Sequence, residues 1–287
     1  MRLKIKGLLT AVLALAVSYS FAQTQTLDGF KTIRRSAISP IFQGSEVAGY
    51  TIFYKSDKAD KKNDNYGLDL YDQDLNKVKT ITMQKPRNQY LLLRNSFNGS
   101  AFGFYFYNIK EKAFELESYD TGLKKLGSVQ IKNPSRMDQA LVQESLRNPN
   151  ASNENTFGSL NLYPVPGKGF IRNSVEGMGK GYIVEMYDNK TQKLWTATSD
   201  KASKLYEGIG IYEATEKYVL ATLGTRDGMM SKKMDFSILV LDATTGKQVL
   251  NIPVETNATE QLSMSSLDYD AEKQEFVATG EYYRTKD

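Results

Sequence analysis

Phe236–Val254 reads FSILVLDATTGKQVLNIPV. β-branched and aliphatic residues run to Leu241, then Asp242 closes the run. A polar turn follows, then Lys247, then a second alternating run. Such a stretch specifies an antiparallel hairpin: side-chain period 2 on both arms, and Asp and Gly where turn amides and a positive φ need them. The same order recurs at Tyr66–Met83 (YGLDLYDQDLNKVKTITM), Ala113–Ile131 (AFELESYDTGLKKLGSVQI) and Gly181–Thr198 (GYIVEMYDNKTQKLWTAT). The closing acids are Asp72, Asp120, Asp188 and Asp242, spaced 48, 68 and 54 residues apart.

A further strand pair precedes each hairpin. It is Ile38–Gln43 with Gly49–Tyr54, Gln89–Asn95 with Ala101–Tyr107, Ser159–Tyr163 with Gly169–Ser174, and Tyr206–Tyr212 with Tyr218–Gly224. Four strands in about fifty residues is the unit of a β-propeller blade. The expected fold is therefore all-β, a β-propeller of four-stranded blades, with at least four blades and a partial fifth. The blades fall near 36–84, 88–132, 157–199, 205–254 and 261–287. A helical insertion is expected at 134–148, capped by Ser135, with Asp138 in its first turn and Met137, Ala140 and Leu141 on one face. Leu262–Tyr269 and Glu275–Tyr283 read as two strands of the fifth blade, lacking their closing hairpin. The expectation is a longer chain continuing past residue 287. The alternative is that Leu27–Arg34 completes that sheet.

The chain has 287 residues, 37 Lys+Arg, 33 Asp+Glu, and neither His nor Cys. Disulfides, thiolate nucleophiles, Cys/His metal sites and imidazole acid–base chemistry are excluded by composition. Arg2, Lys4 and Lys6, the apolar run Gly7–Val17, and Ser20-Phe21-Ala22 read as a secretory leader over 1–22, leaving a mature 23–287. Removing it leaves 34 basic against 33 acidic residues. No nucleic-acid partner follows from that charge, and no later run is long enough to span a bilayer. The expected location is extracytoplasmic: periplasmic, cell-surface or secreted.

Leu241-Asp242-Ala243-Thr244-Thr245-Gly246-Lys247 resembles the repeat of quinoprotein-type and related surface-protein propellers, where Leu-Asp is followed by Ala-x-Thr-Gly-Lys. Tyr187-Asp188 with Lys193-Leu194-Trp195 is similar. The resemblance covers one hairpin per blade and implies a propeller. The carboxylate, amide and Cys set of the quinone site has no match, so no cofactor is expected. More loosely, the composition is similar to that of exported propeller-like proteins of uncharacterised function from gliding and gut bacteria.

Candidate chemistry is sparse. Asp57–Asn65 (DKADKKNDN) offers Asp57, Asp60 and Asp64 as oxygen ligands for calcium. Its spacing departs from Asp-x-Asp-x-Asp-Gly and its lysines repel a cation, so it reads as a solvated hairpin loop. Glu115 and Glu117 share one strand face. They read as a solvent-facing outer pair rather than as glycosidic acid and base. The glycine-rich runs Gly167–Gly169 and Gly177–Gly181 lack the Gly-Lys-Ser/Thr ending of a phosphate loop and read as turns. Phe102–Tyr107 (FGFYFY) reads as core. Ser56–Asn65, Lys132–Thr156 and Thr225–Asp235 are the long connections, and Arg226, Asp227, Lys232 and Lys233 with Met229 and Met230 are candidate contacts for a protein or glycan partner. The function expected is a non-catalytic binding or interaction module. The alternative is a hydrolase of glycan or peptide working with Asp and Glu alone.

Overall fold

Each expected hairpin forms, and each is flanked by the strand pair before it. The computed structural model describes residues 38–43, 46–147, 160–177, 180–200, 202–228, 230–231, 234–254 and 260–284. The expected leader, Leu27–Arg34, Met229, Lys232 and Lys233 lie outside the described residues.

The first sheet is β1 (Ile38–Gln43), β2 (Glu46–Lys58), β3 (Asn63–Asp72) and β4 (Lys77–Pro86). The second is β5 (Tyr90–Phe97), β6 (Ala101–Asn108), β7 (Ala113–Asp120) and β8 (Lys125–Ile131). After helix α1 (Arg136–Arg147) comes the third, with β9 (Tyr163–Val165), β10 (Gly169–Glu176), β11 (Gly181–Asp188) and β12 (Lys193–Thr198). The fourth is β13 (Tyr206–Ala214), β14 (Tyr218–Arg226), β15 (Asp235–Asp242) and β16 (Gln248–Val254), and β17 (Glu260–Asp270) pairs with β18 (Glu275–Arg284). Within each sheet the spatial order follows the chain order, and every pairing is antiparallel.

Consecutive sheets pack face to face, so the inner strands are apolar on both sides. All eight residues of β6 are buried. Phe102, Phe104 and Phe106 face the first sheet, where they meet Phe53 and Leu68. Tyr105 and Tyr107 point the other way, toward Phe170 and Tyr187 of the third sheet and Val142 of α1. Ile171, Val184 and Met186 pack on Ala221 and Leu239 of the fourth sheet. Leu220 and Val240 then meet Leu267 of the last pair. First strands are neighbours throughout: β1 lies beside β5, β5 beside β9, β9 beside β13, and β13 beside β17.

The closing acids act as expected. Asp72, Asp120, Asp188 and Asp242 each accept turn amide N–H groups, for example from Asn76 at 2.8 Å, Lys124 at 2.8 Å, Gln192 at 2.8 Å and Thr245 at 2.7 Å. Only the fourth turn places glycine at its positive φ. Leu75, Leu123 and Thr191 take that conformation in the shorter turns, at φ 63°, 59° and 62°, and Gly246 takes it at 70°. Gly246 has a second duty, since a Cβ there would lie 2.5 Å from the Trp195 ring of the third sheet. The Trp195 indole N–H donates to the Ala243 carbonyl at 3.0 Å, tying the same turn across the sheet boundary.

Several expectations need correction. The strand expected at Ser159–Tyr163 forms instead at Tyr163–Val165. Leu160 and Leu162 alternate like a strand but are buried against the second sheet before pairing begins. The polar run Asp57–Asn65 is mostly strand: β2 continues through Lys58 and β3 starts at Asn63. The face of α1 is also shifted. Ala140 is exposed, while Asp138 and Val142 are buried. Asp138 docks on Ser174 of β10, and that bond sets which side of the helix meets the sheet.

Gly127 of β8 lies against the turn that closes β11 of the third sheet. A Cβ there would come 2.2 Å from the Lys190 carbonyl oxygen. Gly127→Ala is expected to lower stability by about 1–3 kcal/mol through overpacking against an unyielding backbone, measured by urea unfolding.

Candidate functional site

The loop residues singled out from sequence do not assemble into a ligand cage. Asp60 accepts the backbone N–H groups of Lys62 (2.6 Å) and Asn63 (2.8 Å) and the Asn63 amide (2.9 Å), which organises the 59–62 turn. Those bonds hold its carboxyl below the usual range, led by the Asn63 side chain. Asp57 accepts from the Asn65 amide at 2.8 Å. Asp64 is not in a solvated loop: it is fully buried and meets the Lys55 ammonium at 2.6 Å. Among the described residues no group of three Asp or Glu side chains is placed to hold a metal ion. Arg226 ends β14, in register with Tyr206, and Asp227 is exposed in the turn after it. Met230 is 91 % exposed.

A polar line runs along the first strands. The Ser39 hydroxyl donates to Asn95 Oδ1, and the Asn95 side-chain amide donates to the Thr51 hydroxyl at 2.9 Å. Arg94 Nε donates to Asn161 at 3.0 Å, and the Asn161 amide donates to the Tyr163 hydroxyl at 3.1 Å.

The most developed polar structure is buried between the sheets and occurs three times. In the first sheet Asp69, fully buried, meets the Lys77 ammonium at 2.7 Å and accepts from the Tyr71 hydroxyl at 3.2 Å and the Thr80 hydroxyl at 2.6 Å. In the second, Glu117 meets Lys125 at 2.6 Å and Lys85 at 3.2 Å, and Tyr119 donates to it at 3.0 Å. In the third, Glu185 meets Arg172 at 2.8 Å and Lys193 at 3.0 Å, and Tyr187 donates to it at 3.0 Å. The second and third copies reach across sheet boundaries. Lys85 belongs to the first sheet and lies over the Tyr90 and Phe106 rings of the second at 4.3 and 4.4 Å. Arg172 donates to the Tyr105 hydroxyl of the second sheet at 3.0 Å.

Strand geometry explains the repetition. The carboxylate and the tyrosine two residues later share a face. The turn-closing Asp then reverses the chain and brings a lysine back opposite the tyrosine, in the pairs Tyr71–Lys77, Tyr119–Lys125 and Tyr187–Lys193. The sequence signature is thus Asp/Glu-x-Tyr-Asp followed by Lys five residues on. The fourth sheet carries Leu239, Leu241 and Gln248 at the matching registers. The strand-sharing pair Glu115 and Glu117, expected on a solvent-facing surface, is corrected accordingly: Glu117 is 3 % exposed because that face is pressed against the first sheet. Glu115 accepts from the Ser128 hydroxyl at 3.1 Å.

Electrostatics settles what these carboxylates can do. Burial pushes Glu117 upward, but the ammonium groups of Lys85 and Lys125 outweigh it and hold the carboxyl below its ordinary range. Burial likewise opposes the Arg172 and Lys193 contacts at Glu185, and the net direction is again down. Tyr119 and Tyr187 are pushed up, by burial first and by the neighbouring carboxylate second. Glu117 and Glu185 stay ionised and the Tyr119 and Tyr187 phenols stay protonated through neutral pH. Neither is poised to exchange a proton. Glu213 of β13 is displaced the opposite way, raised by burial and by Asp268 of β17.

Asp138 is 1 % exposed and links α1 to the third sheet. It accepts the Ser174 hydroxyl at 2.6 Å and the Ser135 N–H at 3.3 Å, while its own N–H donates to the Ser135 hydroxyl at 3.0 Å. Asp138→Ala is expected to cost about 1–3 kcal/mol, the penalty for unsatisfied buried partners, and to raise amide exchange within α1 before the sheets.

No curated protein matches the sequence. Residues 3–287 match the profile of DUF6770, described as a family of unknown function, and with nearly the whole length covered the chain belongs to that family.

Proposed function

We propose that the protein is an exported, non-catalytic binding module whose sheets stand as β-propeller blades around the line of first strands. The neighbouring first strands and the face-to-face packing of successive sheets support the propeller. The observation that carries the non-catalytic reading is the pairing of Glu117 and Glu185 with cations. Acid–base hydrolysis needs one carboxyl kept protonated near neutral pH, and these two are held in the opposite state. The partner is a protein or glycan, met at the sheet ends that carry the 59–62 turn and the connection after Arg226. The leader over 1–22 delivers the chain outside the cytoplasm. Sequencing the exported protein should give Gln23 as its first residue.

Glu213 beside Asp268 is the arrangement that favours the hydrolase reading. The two readings separate in one assay. The purified chain is offered chromogenic glycosides and peptide substrates, and its binding of soluble glycan and peptide fragments is followed by calorimetry. The module reading expects binding without turnover, weakened at least tenfold by combined Arg226→Ala and Asp227→Ala. Turnover that disappears in Glu213→Gln would replace it with the hydrolase.

A further inference from the structure

Antiparallel strands in chain order place two kinds of connection at one end of each sheet: the one between its second and third strands, and the one leading to the next sheet. In the first two sheets, backbone hydrogen bonds join three such connections into a ledge. The Arg87 N–H donates to the Lys62 carbonyl at 2.8 Å, and the Ile109 N–H donates to the Gln89 carbonyl at 2.7 Å. The ledge runs from residues 57–62 through 87–89 to 109–112.

Its charge is one-sided. Lys58, Lys61, Lys62, Arg87, Lys110 and Lys112 stand against Asp57, Asp60 and Glu111, two cations for each carboxylate, whereas the whole chain has 37 Lys+Arg against 33 Asp+Glu. Two of these carboxylates are already engaged, Asp57 by the Asn65 amide and Asp60 by the N–H groups of its own turn. The lysines are all exposed. Among the described residues Arg87 Nε has no hydrogen-bond partner. It lies 3.9 Å from Asp64 Oδ1, and that carboxylate also meets the Lys55 ammonium at 2.6 Å. Lys112 holds φ at 48°, where glycine or asparagine fits with less strain. The ledge carries uncompensated positive charge on side chains that reach solvent.

We propose that this ledge receives an acidic polysaccharide, one bearing uronate carboxylates or sulfate groups. The proposal rests on the binding-module reading and names its ligand class. Clustered cations of this kind raise the local concentration of a polyanion. Sheets packed face to face stand about 10 Å apart, so the ammonium groups of the first and second sheets meet separate acidic sugars of one linear chain rather than a single small anion. Residues 57–62, 87–89 and 109–112 include no aromatic side chain. Protein partners are held chiefly at desolvated aromatic anchors, and unpaired bases by aromatic stacking. Exposed lysines without aromatic neighbours suit a hydrated, regularly charged glycan instead.

Calorimetry of the purified chain with polygalacturonate, dextran sulfate and neutral dextran fragments of matched length tests this. The expected result is that one acidic fragment binds at least about tenfold more tightly than dextran, and less tightly as added salt screens exposed charge. Which of the two binds tells carboxylate from sulfate. Combined Lys61→Gln, Lys62→Gln, Lys110→Gln and Lys112→Gln should weaken that binding at least about tenfold. Combined Lys124→Gln, Lys190→Gln, Lys217→Gln and Lys247→Gln makes the same charge change on exposed turns at the opposite ends of the sheets. It should leave affinity within about twofold. Equal weakening by the two sets overturns the proposal, as does binding of neither acidic fragment or equal binding of dextran. Tighter binding of polyglutamate or duplex DNA also overturns it, and assigns the ledge to an acidic protein or to nucleic acid. Those outcomes leave the non-catalytic reading standing. Cleavage of a fragment, followed as released reducing ends, removes that reading and the proposal with it.

Discussion

Replacing Glu117 with alanine is expected to destabilise the protein by about 3–5 kcal/mol, the range for removing one partner of a buried ion pair. The cost does not arise at Lys125, whose side chain is 45 % exposed and stays hydrated. It arises at Lys85, which is 7 % exposed and would keep only the faces of Tyr90 and Phe106. The double variant Glu117→Leu with Lys85→Met removes both charges. It should recover most of the loss, since well-packed apolar replacements of buried pairs are often neutral or better. Urea unfolding of the two variants separates the explanations. Equal losses would mean that side-chain volume, not charge, holds this seam. The pH dependence has a definite sign. Glu117 and Glu185 are held below the ordinary carboxyl range when folded, so their contribution is complete above about pH 4.3 and is lost as pH falls through their folded values.

The reciprocal change belongs in the fourth sheet. Leu239 sits at the register of Glu117 and Glu185, fully buried, between Ala221 on its own sheet and the third-sheet core. Leu239→Glu places a carboxyl there without a lysine or arginine in the matching positions. A loss of at least about 3 kcal/mol is expected at neutral pH. This carboxyl would have its folded pKa raised. The penalty is therefore smallest below the unfolded carboxyl value and grows as pH rises above it. Between pH 3 and pH 7, roughly spanning the carboxyl range, the variant's deficit relative to the native chain should shrink as pH falls. A variant whose deficit is independent of pH would show that the new carboxylate escapes to solvent.

Much of this architecture is legible in the chain because its turn chemistry is explicit. Asp72, Asp120, Asp188 and Asp242 mark the ends of third strands, and the aromatic–polar alternation before them gives the strand pairs. The sequence is less informative where a polar residue is buried. Alternation assigns Glu117 to solvent, and only its cross-sheet partner Lys85, 32 residues earlier, reveals otherwise. The signature Asp/Glu-x-Tyr-Asp with Lys five residues later is present in three copies, and comparing the copies would have exposed it. Asp64 misleads for the same reason, since lysine-rich surroundings read as loop although β2 and β3 extend beyond the core. Leu160 and Leu162 show the converse error, an alternation produced by packing without pairing. For the binding surface, composition supplies candidates such as Arg226 and Asp227, but convergence of loops is a tertiary property that no local pattern encodes.

The uneven distribution of charge among the seams gives the molecule a built-in order of disassembly. Protonation weakens the tie that Glu117 makes to Lys85 of the first sheet, and it frees Arg172 from the Glu185 carboxylate that holds it where it meets Tyr105 of the second. It leaves the boundary between the third and fourth sheets untouched, where hydrocarbon and the Trp195–Ala243 bond do the holding. At pH below the ordinary carboxyl range the N-terminal half would loosen first while the C-terminal half kept its shape. Repeats alike in outline would therefore answer the same stimulus differently.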